Sequence, residues 1–249
     1  MEYALVGLLG YLLWDEWKTQ TIAPTPSKRL CDYYAAGAVF EDVSTALARG
    51  VRLIELHVYS DEQGYPVVAK QPLNDGYDYA LDNVSFESCC VALVNDAFPS
   101  KYPLILSIVS HTENAVTMNR MAEHLNTTLR RHLIQETRGI ATAPLDGLAN
   151  RVILVSGGNF VGTELEPLVN LSWSGSDLRR LTYSQTIHSR DQPDLVAYNR
   201  DHITLVAPDA VFGKSPVNSE TVLAYGCQWS LFPTGRVQSG FVEKSPGLQ

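Results

Sequence analysis

The chain has 249 residues, of which 45% are hydrophobic, 18% charged and 9% aromatic. That is an ordinary globular composition, and its length suits one barrel-sized domain or two smaller ones. A formal net charge of −8 argues against a nucleic-acid partner and against broad adhesion to anionic membrane.

In chain order, Tyr3 to Trp14 is apolar. At about 12 residues it is too short to span a bilayer. Without a basic flank or a small-residue cleavage site, it reads as a packing helix. Lys18 to Ala23 is a short strand, broken by Pro24 and Pro26. Val39 to Arg49 reads as a helix stopped by Gly50. Val51 to Tyr59 is a buried strand, and Tyr65 to Lys70 a second one after a turn at Asp61 to Gly64. Asn74 to Tyr79 is a polar, aromatic loop. Val84 to Phe98 is helical up to Pro99, and Pro103 to Val109 is apolar on both faces, as in a covered parallel sheet.

Met118, Met121, Leu125, Leu129 and Leu133 recur at helical steps and predict a helix over Asn114 to Gln135. Arg151 to Val155 is a strand, Asp177 to Arg180 and Pro193 to Arg200 are helical, and His202 to Ala207 and Tyr225 to Phe232 are strands. Strands alternate with helices almost throughout, which implies a mainly parallel sheet, either a barrel or doubly wound. No Gly-rich phosphate loop follows any strand, so a nucleotide site has no support. Cys31, Cys89, Cys90 and Cys227 form no C-x-x-C pair. They read as reduced core thiols of a cytoplasmic protein. The basic spots Arg179-Arg180 and Arg130-Arg131-His132 read as solvated helix faces.

Chemistry-bearing residues are sparse. Glu55 and His57 are two apart on one strand and so share a face. They form either a residual metal or acid–base pair, or a hydrogen-bonded core pair. His111 follows an apolar strand, where a helix-capping role competes with a catalytic one. No nucleophile elbow accompanies any histidine, which disfavours a serine hydrolase.

Several stretches, taken together and in order, resemble the catalytic domain of eukaryotic phosphoinositide-specific phospholipase C. Glu55-Leu-His57-Val-Tyr is similar to the family's Glu-Leu-Asp-Cys-Trp, Gly64-Tyr-Pro66-Val-Val to its Glu-Pro-Val-Ile, and Tyr102-Pro-Leu-Ile-Leu-Ser-Ile108 to its Tyr-Pro-Val-Ile-Leu-Ser-Leu. Later, Leu195-Val-Ala-Tyr-Asn199 resembles Phe-Val-x-Tyr-Asn, Gly226-Cys227-Gln228 matches Gly-Cys-Gln, and Gly240-Phe-Val-Glu-Lys-Ser-Pro246 resembles Gly-Tyr-Val-Leu-Lys-Pro.

The resemblance implies a distorted (β/α)₈ TIM barrel in one structural domain. Residues 21–158 would form an X-like half and residues 159–249 a Y-like half. The helix over residues 1–20 would be a remnant of a preceding EF-hand region.

It also implies a phosphodiesterase site, with two histidines for acid–base work and oxygen ligands for calcium, and most of that set is substituted here. The first His-Asn pair falls at Thr25-Pro26. The second His is Lys70, one calcium Asp is His57, and the last calcium Glu is Val109. The headgroup-binding cations fall at Val155 and Gly157, and an Arg and a Tyr at Leu205 and Ala207. Glu55 is the calcium-ligand position that survives, and His57, Lys70 and His111 are the residues left for catalysis.

The expected function is therefore a phospholipase C-like barrel without activity, acting as a scaffold or interaction domain in the cytoplasm or at the membrane periphery. It would have a protein partner, weak phosphoinositide or membrane contact, and no cofactor. Two rivals stay open. One is an active phosphoinositide phosphodiesterase with a rebuilt site, which alone would need calcium. The other is a non-catalytic inositol-phosphate or lipid-binding module.

Overall fold

The computed structural model describes residues 28–39, 42–69, 72–73, 78–79, 84–135, 138–188, 192–209, 219–231 and 240–244. The expected N-terminal helix, the Lys18 to Ala23 strand, Thr25-Pro26 and Lys70 lie outside them.

Eight strands form the central sheet: β1 (Tyr33–Val39), β2 (Leu53–Ser60), β3 (Leu104–Ser110), β4 (Val152–Ser156), β5 (Leu171–Ser172), β6 (Leu178–Thr182), β7 (Ile203–Ala207) and β8 (Trp229–Ser230). All pair in parallel, in the order β6-β7-β8-β1-β2-β3-β4-β5. The two ends, β5 and β6, lie against each other without forming a ladder, so the barrel is nearly closed. This is the (β/α)₈ architecture expected. Helices α1 (Val43–Ala48), α2 (Phe86–Asp96) and α3 (Ala115–Thr128) cover the first half. Helices α4 (Tyr183–Ile187), α5 (Gln192–Tyr198) and α6 (Ser219–Ala224) belong to the second. Among the described residues, no helix is long and apolar enough to cross a membrane.

Strand periodicity divides the apolar residues into two layers. Leu53, Ile105, Ile153, Leu178, Leu205 and Trp229 fill the barrel, while Ile54, Leu106 and Leu154 meet Phe86, Met118 and Leu125 of the helices. The four cysteines are buried, unpaired thiols, as expected.

Several elements depart from the sequence reading. Asp177 to Arg180 is not helical: Leu178–Thr182 is β6, and every residue of it pairs with β7. Two adjacent arginines suggested a solvated helix, but period-two alternation from the buried Leu178 turns Arg180 inward. β1 was not anticipated, because Tyr33-Tyr-Ala-Ala-Gly-Ala-Val is poor in β-branched residues and buried on both faces. Helix α3 ends at Thr128 instead of Gln135. Leu129 and Leu133 prolonged the apolar period because the turn after the helix packs on the same core. The strand expected over Tyr225 to Phe232 shrinks to Trp229–Ser230, and Asp78–Tyr79, expected in a loop, pairs with Pro72–Leu73. Gly50 does stop α1 by adopting a φ of 83°.

The second-half motifs close the barrel at its N-terminal end. The buried Gln228 side chain accepts from the Thr204 amide at 3.0 Å and donates to the carbonyls of Asn199 (2.7 Å), His202 (2.8 Å) and Cys31 (3.3 Å). One amide thus bridges the turn before β1, β7 and the start of β8. Phe241–Glu243 then pairs antiparallel with β1, and Lys244 reaches back to the Asn199 carbonyl. Replacing Gln228 with Met would leave these buried groups unpaired. We expect a loss of about 2–4 kcal/mol, read from urea unfolding. A loss under about 0.5 kcal/mol, typical of an unimportant surface site, would contradict the closure role.

Candidate functional site at the barrel mouth

Residues that alternate inward along the strands converge at the C-terminal end of the barrel, the mouth, where sites of this architecture are built. Register sets the neighbours. Glu55 on β2 stands level with Ser107 on β3, and His57 level with Val109. Glu55 has 1% of its side chain exposed. An ionised carboxylate so buried must be paired, and it is.

Oε1 accepts from Arg180 Nη2 at 2.8 Å and from His57 Nε2 at 3.2 Å. Oε2 accepts from Ser107 Oγ at 2.9 Å and from Arg180 Nε at 3.4 Å. A carboxylate has about four acceptor positions, and all are used. Burial pulls the Glu55 pKa upward, but the His57 hydrogen bond and the Arg180 charge and hydrogen bond together hold it below its ordinary value.

Arg180 comes from β6, on the far side of the barrel in sequence. Its guanidinium lies 5.5 Å from the Trp173 ring centroid, within cation–π range. Trp173 in turn occupies the space above Gly157. A Cβ at Gly157 would lie 3.2 Å from the indole nitrogen. A side chain at this position would crowd Trp173, so the indole stands where a longer residue would otherwise enter the mouth.

A second chain of contacts leaves Glu55 through two imidazoles. Because Glu55 can only accept, His57 Nε2 donates to it. His57 Nδ1 meets His111 Nε2 at 2.9 Å. In the neutral pair His57 Nδ1 accepts from His111, which leaves His111 Nδ1 as the acceptor at the exposed end. The His111 ring stacks on Tyr59 at 4.4 Å between centroids. Burial first, then the charges of His57 and Arg180, bring the His111 pKa down from 6.5 to about 4.

The sequence of residues 32–156 matches the family described as phosphatidylinositol-specific phospholipase C, X domain. The chain belongs to this phospholipase C family. No curated protein matches its sequence. Among solved structures it is similar to PLC21 of S. officinalis, with a TM-score of 0.65 at 16% identity, covering 83% of this chain and 34% of that one. It is also similar to the calcium-dependent phosphatidylinositol-specific phospholipase C of Streptomyces antibioticus, with a TM-score of 0.62 at 12% identity and coverage of 88% and 99%. A third is the calcium-dependent phosphoinositol-specific enzyme of a Pseudomonas species, with a TM-score of 0.56 at 12% identity and coverage of 87% and 96%. The chain spans 34% of the length of the S. officinalis and L. pealei PLC21 chains.

Within this phospholipase C barrel, the structure brings together Glu55, His57 and His111 of the residues singled out by sequence, while Lys70 lies outside the described residues. Val109 does stand beside His57. Val155 stands level with Ser107, and Leu205 lies beside Arg180. Arg180, Ser107 and Trp173 were missed. For Arg180 the signal was present in its inward alternation from Leu178. For Ser107 it lay in register with Glu55, which a sequence alone does not give.

The His111 shift has a measurable consequence. Between about 6.5 and 4 the unfolded chain holds a proton that the folded chain refuses, so stability should fall as pH drops through that window. Glu55, with its depressed pKa, loses its contribution only below its ordinary 4.5. His111→Gln should flatten the upper part of the acid limb in urea midpoints measured stepwise from pH 7 to 4. An unchanged slope would mean that His111 titrates normally.

Proposed function

We propose that this protein is a phospholipase C-type barrel that has given up calcium-dependent phosphodiester cleavage and serves as a scaffold or interaction domain. The observation that carries this reading is the saturated Glu55 carboxylate, whose counter-charge is the protein's own guanidinium. Cleavage of the family kind needs a general base, a general acid for the leaving oxygen, and a cation on the developing phosphorane. Calcium takes six to eight oxygens. Here both Glu55 oxygens are engaged, His57 offers nitrogen, and Val109 offers nothing. Ser110 Oγ is turned to the Thr112 carbonyl at 3.1 Å. This donor set does not suit calcium.

The reading extends to a protein partner, with weak phosphoinositide or membrane contact at most, in a cytoplasmic setting consistent with four unpaired thiols. An inositol-phosphate module at the mouth is less well supported, because the charge of Arg180 is committed to Glu55. The rebuilt-enzyme reading keeps one specific observation in its favour, the hydrogen-bonded Glu55–His57–His111 chain, which would present His111 as a base.

Two experiments separate these readings. Loss of a single acid or base costs about 10²–10⁴-fold, so no calcium-stimulated release of inositol phosphate from phosphatidylinositol 4,5-bisphosphate should be seen above background. Robust hydrolysis abolished by Glu55→Gln would establish the rebuilt enzyme. In calorimetric titration, calcium should show no site of physiological affinity. Micromolar binding that disappears in Glu55→Ala would overturn the assignment of Arg180 as the resident counter-charge.

A further inference from the structure

The opposite end of the barrel holds a cavity of about 220 Å³ lined by, among others, Arg29, Asp32, Tyr34, Asn199, Arg200 and Lys244. Asp32 precedes β1, Asn199 and Arg200 precede β7, and Lys244 hydrogen-bonds through its amide to Asp32. The cavity is therefore at the N-terminal face, remote in the fold from the mouth. The lining named here has three cations and one carboxylate, in a chain of net charge −8.

The three cations differ in what they have left to offer. Arg29 is spent: its guanidinium holds the Asp32 carboxylate through Nε and Nη2, the exposed Asp201 through Nη1, and the Arg200 carbonyl. Lys244 donates to the Asn199 carbonyl at 3.1 Å and lies 5.7 Å from the Tyr34 ring centroid. No carboxylate lies within ion-pair distance of it among the described residues, and an ammonium has three donors. Burial, opposed by the Cys31 and Asp32 charges, lowers its pKa to about 8, the mark of a cation that is short of both water and partner. Arg200 is exposed, and its guanidinium makes no hydrogen bond or ion pair among the described residues.

We propose that this cavity binds a phosphate group, with Lys244 and Arg200 as its two cationic contacts. An ammonium supplies a point charge and a guanidinium a planar fork, the pair of donors that suits tetrahedral oxyanions. The volume is below that of sites for drug-sized ligands, so the recognised part is the phosphate itself with little attached. The Asn199 and Lys244 motifs of the second half thus close the barrel and also leave ammonium donors facing a cavity.

The test is calorimetric titration of the whole protein with inorganic phosphate at pH 7 and low ionic strength, with acetate as the comparison anion. Phosphate should bind and acetate much more weakly. Lys244→Met and Arg200→Gln should each weaken phosphate binding by about tenfold or more, the loss of one charged contact. Arg200→Gln removes an exposed side chain with no described contact, so it keeps the test valid if Lys244→Met fails to fold. No phosphate binding, or binding unchanged in Arg200→Gln, overturns the proposal. Vesicles of phosphatidylcholine with phosphatidic acid identify the source. Retention that free phosphate competes away supports the site with a lipid headgroup as ligand. Phosphate binding without retention supports it with a soluble phosphate compound.

Discussion

A carboxylate with 1% of its side chain exposed has to find its counter-charge inside the barrel. Glu55 finds it in Arg180, and much of the mouth follows from that pairing. β2 lies near the middle of the sheet order and β6 at its end, so the pair ties the two halves of the barrel across the interior. The guanidinium that reaches Glu55 also lies over Trp173, and Trp173 needs Gly157 to be small. Ser107 and His57 take the remaining lone pairs. Each side chain along this path fits the next. Glu55 is the centre of an internal polar network, and such networks are stable only when every member is satisfied.

The two ends of the barrel carry different structural duties. At the N-terminal end, Asn199, Gln228 and Lys244 join the residues leading into β1, β7 and β8 where the sheet must close. A nearly closed barrel cannot lose those bonds without exposing strand edges. At the mouth, the inward residues are free of that duty, and Arg180, His57 and Ser107 instead satisfy Glu55. One fold can therefore carry different sites at its mouth.

The sequence made the architecture legible because apolar strands such as Pro103 to Val109 and the periodic helix through Met118 and Leu125 each bury a recognisable face. It was less informative where burial is two-sided or pairing is non-local. The Ala-rich β1 carries no alternation to read. Arg179-Arg180 shows how charge misleads: two cations in a row suggest solvent, yet strand geometry sends only every second residue outward, and the inward one meets Glu55, 125 residues away in sequence. Glu55, His57 and His111 could be named because two of them share a strand and the third follows the next one. Arg180, Ser107 and Trp173 could not, because their relevance depends on register and on side chains from the far wall.

The most direct measurement of this account is a double-mutant cycle between Glu55 and Arg180, using Glu55→Gln, Arg180→Met and the double variant, with stability from urea unfolding at pH 7. A buried, hydrogen-bonded ion pair should give a coupling energy of about 1.5–3 kcal/mol, with each single variant well below wild type and the double variant recovering part of the loss. Additive effects, with coupling near zero, would contradict the claim that this guanidinium serves as the carboxylate's counter-charge.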